Sequence, residues 1–131
     1  MEIGLNDKLT AVDSILIDGK SVTAAYTSSA FDFGNGQLGS VEVVARVSND
    51  GDVEIAASQT LAIQVLDEDN AVLSTLYTAT ANSAAATTLA AGTELGLFVL
   101  PTNTAKSIKA KISTATAGGS GKVDVFANIL P

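Results

Sequence analysis

Apolar residues in this chain recur at every second position, and that period restricts it to strands with one buried side. Val41, Val43, Ala45 and Val47 share a side, with Glu42 and Arg46 on the other. Leu61, Ile63 and Val65 repeat the pattern around Gln64, and Ile108, Ala110 and Ile112 repeat it with Lys109 and Lys111 facing away. Val123 and Val125 flank Asp124. A helix needs apolar residues three and four apart, so strict alternation selects half-buried strands.

Turn chemistry supports the same reading. Asp18-Gly19 lies between Ile15-Leu16-Ile17 and Lys20-Ser21-Val22, and an Asp-Gly pair between apolar runs predicts a hairpin. Asn49-Asp50-Gly51 precedes Val53-Glu54-Ile55, and Gly118-Gly119-Ser120-Gly121 precedes Val123. The pattern predicts strands near 12–17, 20–26, 40–48, 52–57, 60–67, 72–78, 95–100 and 106–114, with a last one near 121–128. Residues 79–92 mix Ala with Thr, Ser and Asn, and read as a long loop holding one helical turn. Many short strands with spaced turns imply an all-β sandwich, jelly roll or small barrel. The 131 residues contain no repeat and no Pro/Gly-rich linker, which fits one domain. Apolar residues make up 47% but aromatics only 5%, so the core is expected to be Val, Leu and Ile.

The chain has no His, no Cys and no Trp. The usual proton switch near neutral pH, the thiolate nucleophile and the soft metal ligands are therefore missing. Ser107 beside Lys106 or Lys109 is the nearest thing to a nucleophile with a base. Lys109 alternates onto the solvent side, where its pKa would not fall enough for base work. No catalytic residue is assigned, and the chain is expected not to be an enzyme. The formal net charge of −7 argues against nucleic acid and against anionic membrane surfaces as partners. No apolar run approaches the about 20 residues of a membrane helix. The polar start MEIGLNDKLT is unlike a signal peptide, so synthesis and residence in a cytoplasm are expected.

Two acidic clusters invite a calcium reading: Asp50, Asp52 and Glu54, and the run Asp67, Glu68, Asp69 and Asn70. Neither has the spacing of a calcium loop, and Asp and Asn are ordinary turn formers, so both are read as solvated turns and no metal is assigned. Gly34, Gly36 and Gly39 fit G-x-G-x-x-G, but a strand pattern follows where a dinucleotide site needs a helix, so no cofactor is assigned. Tyr26, Tyr77, Phe31, Phe33, Phe98 and Phe126 are read as core or interface anchors. Lys106, Lys109, Lys111 and Lys122 fall late in the chain, as a solvated strand face or as a patch for an acidic partner.

Four segments in order resemble tailed-bacteriophage capsid decoration, or cement, proteins of the jelly-roll type. They are Ser29-Ala30-Phe31-Asp32-Phe33-Gly34; Leu61 to Asp67; Leu89 to Leu95 leading to Phe98-Val99-Leu100-Pro101; and Gly121 to Phe126. The resemblance covers most of residues 28–128. It implies a jelly-roll-like β-sandwich of about eight strands. It also implies a non-enzymatic protein on the outer capsid surface of a virion, which stabilises the shell by binding major capsid protein and is often a homotrimer. Residues 28–131 would form the sandwich core. Residues 1–27 match less closely and would supply an arm and first hairpin of the same domain, suited to attachment. Ile3, Leu5 and Leu9 in that arm, with Phe31 and Phe33, are the candidate capsid or subunit contacts. The arm reads equally as a first edge strand of the domain's own sheet. Two rival readings remain at this stage: a carbohydrate-binding or adhesin-like β-sandwich, and a phage tail or baseplate sandwich.

Overall fold

The computed structural model describes residues 15–32, 40–101 and 105–129. Every regular element among them is a strand: β1 Ile15–Ser21, β2 Tyr26–Thr27, β3 Phe31–Asp32, β4 Val41–Val47, β5 Val53–Ile55, β6 Thr60–Leu66, β7 Val72–Thr80, β8 Thr87–Leu89, β9 Glu94–Leu100, β10 Ser107–Thr114 and β11 Lys122–Ile129. One sheet has the order β1-β11-β4-β9. The other has the order β2-β10-β6-β7, with β3 continuing the β2 border along β10. All pairs are antiparallel. Chain neighbours mostly lie in opposite sheets. The eight-strand order, with β2 and β3 as one broken strand, is that of a jelly roll. β5 and β8 form a separate two-stranded ribbon at one end.

The alternating residues face inward as their period requires. Val41, Val43, Ala45, Val47, Leu61, Ile63, Val65, Ile108, Ala110, Ile112, Val123 and Val125 are all buried in one cluster. Each large aliphatic there contributes about 1.5–3 kcal/mol by leaving water. No aromatic side chain is fully buried among the described residues. Tyr26, Phe31, Tyr77 and Phe98 instead pack at the core's margins.

The predicted Asp18-Gly19 hairpin is not formed. β1 runs through both residues and pairs with β11, with register shifts between Ile15 and Ile17 and between Ile17 and Lys20. Gly19 does take the positive φ (61°) that suggested a turn, but spends it on a bulge. Its N–H donates to Asp124 Oδ1 at 2.7 Å, which holds the bulge against β11. Local turn preference loses here to a partner strand more than a hundred residues away.

Residues 79–92 hold less loop than expected. β7 continues to Thr80, and β8 uses Thr87 to Leu89 to pair with β5. Between them a single turn closes, Ala85 N–H to Asn82 O, with Asn82 Oδ1 accepting from Ala84 N–H. A helix this short is marginal alone, whereas β6 and β5 offer partners for the extended chain.

Gly96 marks where the sheets meet. A Cβ there would collide with the carbonyl oxygen of Leu76, so β9 and β7 approach closely only because this residue has no side chain.

Candidate docking surface

The outward side of the β1-β11-β4-β9 sheet is read directly from its register. Ile15 opposes Phe126, Phe126 opposes Val44, and Val44 opposes Leu97, giving an apolar row across all four strands. Val44 is buried but lies outside the core cluster, because it is covered on this outer side. Leu97 is 49% exposed and Val99, two residues on, is 44% exposed. The row on one side is charged, Asp124–Arg46–Glu94, and the row on the other begins polar with Asn128 and Glu42 and ends on the apolar Val99.

Arg46 organises the β1 half of this face. Its guanidinium lies 5.2 Å from the Phe126 ring centroid, and Nε is 3.6 Å from Asp124 Oδ2. That separation is an ion pair without a hydrogen bond, worth about 0–1 kcal/mol at this exposure. Ile15, Asp18, Arg46, Asp124 and Phe126 line an open cavity of about 300 Å³. The face therefore offers an apolar floor, a hole at one border, projecting Leu97 and Val99 at the other, and a rim of Asp18, Glu42, Glu94 and Asp124.

The opposite sheet turns out a different chemistry. Thr27, Lys111, Gln64 and Thr75 form one row, and Thr60 and Thr80 share a hydroxyl hydrogen bond of 2.6 Å. Its one exposed large apolar side chain among the described residues is Val72, at the β7 border.

The sequence candidates fall as follows. Ile3, Leu5, Leu9 and Phe33 lie outside the described residues, as does the Gly34, Gly36, Gly39 pattern. Phe31 lies in β3, opposite Ile108, and packs against the core of its own domain. Asp67 caps the β6–β7 turn, its Oδ1 accepting from Asp69 and Ala71 N–H at 2.8 and 2.9 Å. Glu68 Oε1 accepts from the backbone N–H of Lys106 at 2.9 Å, and that bond holds its carboxyl below the usual carboxylate range. Lys109 Nζ donates to Asn70 Oδ1 at 2.8 Å. Two of the four late lysines, Lys106 by its backbone and Lys109 by its ammonium, thus contact the Asp67–Asn70 turn of their own chain. Asp52 Oδ1 accepts from Ala91 N–H, pinning the β4–β5 turn. No group of three or more acidic residues among those described is placed to hold a metal ion.

Sequence reasoning missed Val44, Leu97 and Val99. The available signal was an apolar residue in the polar phase of a strand: Val43-Val44, Val125-Phe126 and Leu97-Phe98-Val99 each break the alternation. It also missed Ser28 and Thr116, which are buried. Ser28 Oγ accepts from Ala110 N–H and bridges the gap between β2 and β3. Thr116 Oγ1 accepts from Ala56 N–H and donates to Gln59 Oε1, tying one end of the sandwich.

Fold and faces define a single jelly-roll β-sandwich whose two outer sides differ in polarity. No protein-family model matches the chain. No curated protein matches it. Among solved structures it is similar to infectious bursal disease virus, Gx strain, at 14% identity and a TM-score of 0.43, over 88% of this chain and 31% of that one. It spans about a third of that viral chain's length. The SPBc2 prophage-derived protein YomS is similar at 11% identity and a TM-score of 0.44, over 89% of each chain. The C-terminal domain of a chitobiase from Bacteroides fragilis is similar at 13% identity and a TM-score of 0.26, over 88% of this chain and 80% of that one. Similarities at this level assign the chain no activity and no partner.

Proposed function

We propose that this protein is a non-enzymatic structural component of a phage virion that sits on the outside of the capsid and stabilises it by binding major capsid protein subunits. It acts as a homo-oligomer, a trimer in the form the resemblance implies. The observation that carries this reading is the apolar row Ile15–Phe126–Val44–Leu97 laid across one outer side of a small rigid sandwich. The row reaches solvent at Leu97, beside Val99, and exposed apolar surface inside a polar rim is a feature of surfaces that meet other proteins. Modest contacts repeated over a shell sum to a large stabilisation, because each bound subunit raises the effective concentration of the next contact. A sugar-binding reading has less support: Tyr26, Tyr77, Phe31 and Phe98 pack against the core, and Phe126 lies beneath Arg46.

The test is co-sedimentation of the purified chain with empty heads of the phage that encodes it, followed by cryo-EM of the decorated particles. Saturable binding on the outer surface and heads more resistant to heat are expected. Absence of binding rejects the reading. Deletion of residues 1–11 belongs in the same assay: lost binding with near-normal melting supports an attachment arm, and collapse of the fold rejects it.

A further inference from the structure

We infer that the outer side of the β1-β11-β4-β9 sheet is the surface that docks, and that its partner is a patch on the shell protein combining aliphatic side chains with Lys or Arg. The inference rests on the capsid reading above and names which face of the chain serves it.

Shape and charge decide the partner's chemistry. The open hole is lined by Ile15 and Phe126 together with Asp18, Arg46 and Asp124, so a side chain entering it from outside meets apolar carbon beside two carboxylates. Leu97 and Val99 project at the far border, about 14 Å away across three strand spacings, and need an apolar surface to cover them. Around them stand four carboxylates, Asp18, Glu42, Glu94 and Asp124, against two cations, the guanidinium of Arg46 and the ammonium of Lys122, which shares the outward side of β11 with Asp124, so the face keeps an acidic excess. Asp124 is already engaged by Gly19 N–H and by Arg46, while Glu94 is exposed on the β9 border. A partner that covers the row brings its own rim against these carboxylates, and only a basic rim does so without like-charge repulsion.

A second copy fits this face poorly. Two such faces brought together double the acidic excess, on chains that each carry −7. The copy's own basic face does not fit either. Its row reads Thr27, Lys111, Gln64 and Thr75, its exposed aliphatic side chain, Val72, stands apart at the β7 border, and Lys109 is held by Asn70. An anionic membrane is repelled for the same reason as a second acidic face.

The experiment titrates full-length chain onto empty heads of the encoding phage at low and high salt. It compares wild type with Leu97→Asp, Glu94→Lys and the opposite-face control Lys111→Glu, with thermal melting and sedimentation velocity of each free protein. Leu97 is half exposed, so Leu97→Asp should melt like wild type. It should bind at least about tenfold more weakly, as expected for an exposed apolar anchor that the partner buries. Glu94→Lys should lose about threefold and show a flatter salt dependence, because rim charges act mainly through long-range attraction. Lys111→Glu should bind as wild type. Wild-type binding that Leu97→Asp and Glu94→Lys leave unchanged overturns the inference while the capsid reading stands. Loss of binding in Lys111→Glu alone assigns docking to the other sheet and also overturns it. If Leu97→Asp dissociates an oligomer without changing the affinity of each subunit for heads, the face is a self-interface and the inference falls. A wild type that binds no heads rejects both readings together.

Discussion

Across β1, β11, β4 and β9 the outward row reads Ile15, Phe126, Val44, Leu97; across β2, β10, β6 and β7 the corresponding row reads Thr27, Lys111, Gln64, Thr75. Both sheets are four strands wide in antiparallel register, counting β2 and β3 as one broken strand, and both present alternate side chains to one common aliphatic core. Strand geometry therefore does not distinguish the two sides. What distinguishes them is whether the solvent-phase positions were filled with groups that water satisfies. Thr, Gln and Lys are content in water and fit a pleated surface through their β-branched or extended forms. Phe126, Leu97 and Val99 are not, and Val44 escapes water only beneath its neighbours. The lesson is that a sandwich of this size needs one buried side per sheet, and a second apolar side marks an interaction rather than a structural need.

Substitutions can break or sharpen that contrast. The largest effect is expected at the seam between the two sheets. Gly96→Ala places a methyl group against the Leu76 carbonyl and forces β9 and β7 apart, at a cost of about 3 kcal/mol, the upper end for overpacking. Chemical denaturation measures it, and a loss under about 1 kcal/mol would mean that the sheets part easily. Next comes the apolar side itself. Phe126→Ala removes a half-buried ring, its stacking with Arg46 and the cover over Val44, and should cost about 2 kcal/mol. On the polar side, Thr75→Ala occupies the equivalent outward row and should stay within about 0.5 kcal/mol of wild type. Equal losses for Phe126→Ala and Thr75→Ala would erase the distinction between the faces.

The smallest effect concerns acid. Glu68 has a folded-state pKa below its ordinary value of 4.5, first because the Lys106 N–H bonds its carboxylate. A depressed carboxylate stabilises the fold fully above its unfolded pKa, and that contribution fades as pH falls through the folded value. Melting temperature measured from neutral pH down through 4.5 should drop slightly more for wild type than for Glu68→Gln. A parallel decline in both proteins would show that the turn-to-β10 contact carries no pH-dependent stability.

Much of the fold was legible because period two is a local property. The inward sets on β4, β6, β10 and β11 follow from residue order alone, and the strand-rich class follows with them. Elements whose partners lie far away were less legible. Asp18-Gly19 carries a strong hairpin signal, yet β11 captures both flanking runs into one strand. Residues 87–89 look like loop until β5 is beside them. The docking surface was legible only in fragments. The sequence marks Phe126 as an aromatic and Glu42 and Arg46 as the polar side of β4, but nothing local aligns Ile15, Phe126, Val44 and Leu97.

Composition and alternation alone determined that this chain makes an all-β domain with an aliphatic core, because side-chain burial in a strand is set by the nearest neighbours along the chain. Strand order, the bulged course of β1, the close approach at Gly96 and the apolar row were decided only by the tertiary structure. Register between strands distant in sequence is fixed by the joint packing of both sheets, so whether single apolar residues on four strands meet in one row depends on contacts that no segment contains by itself.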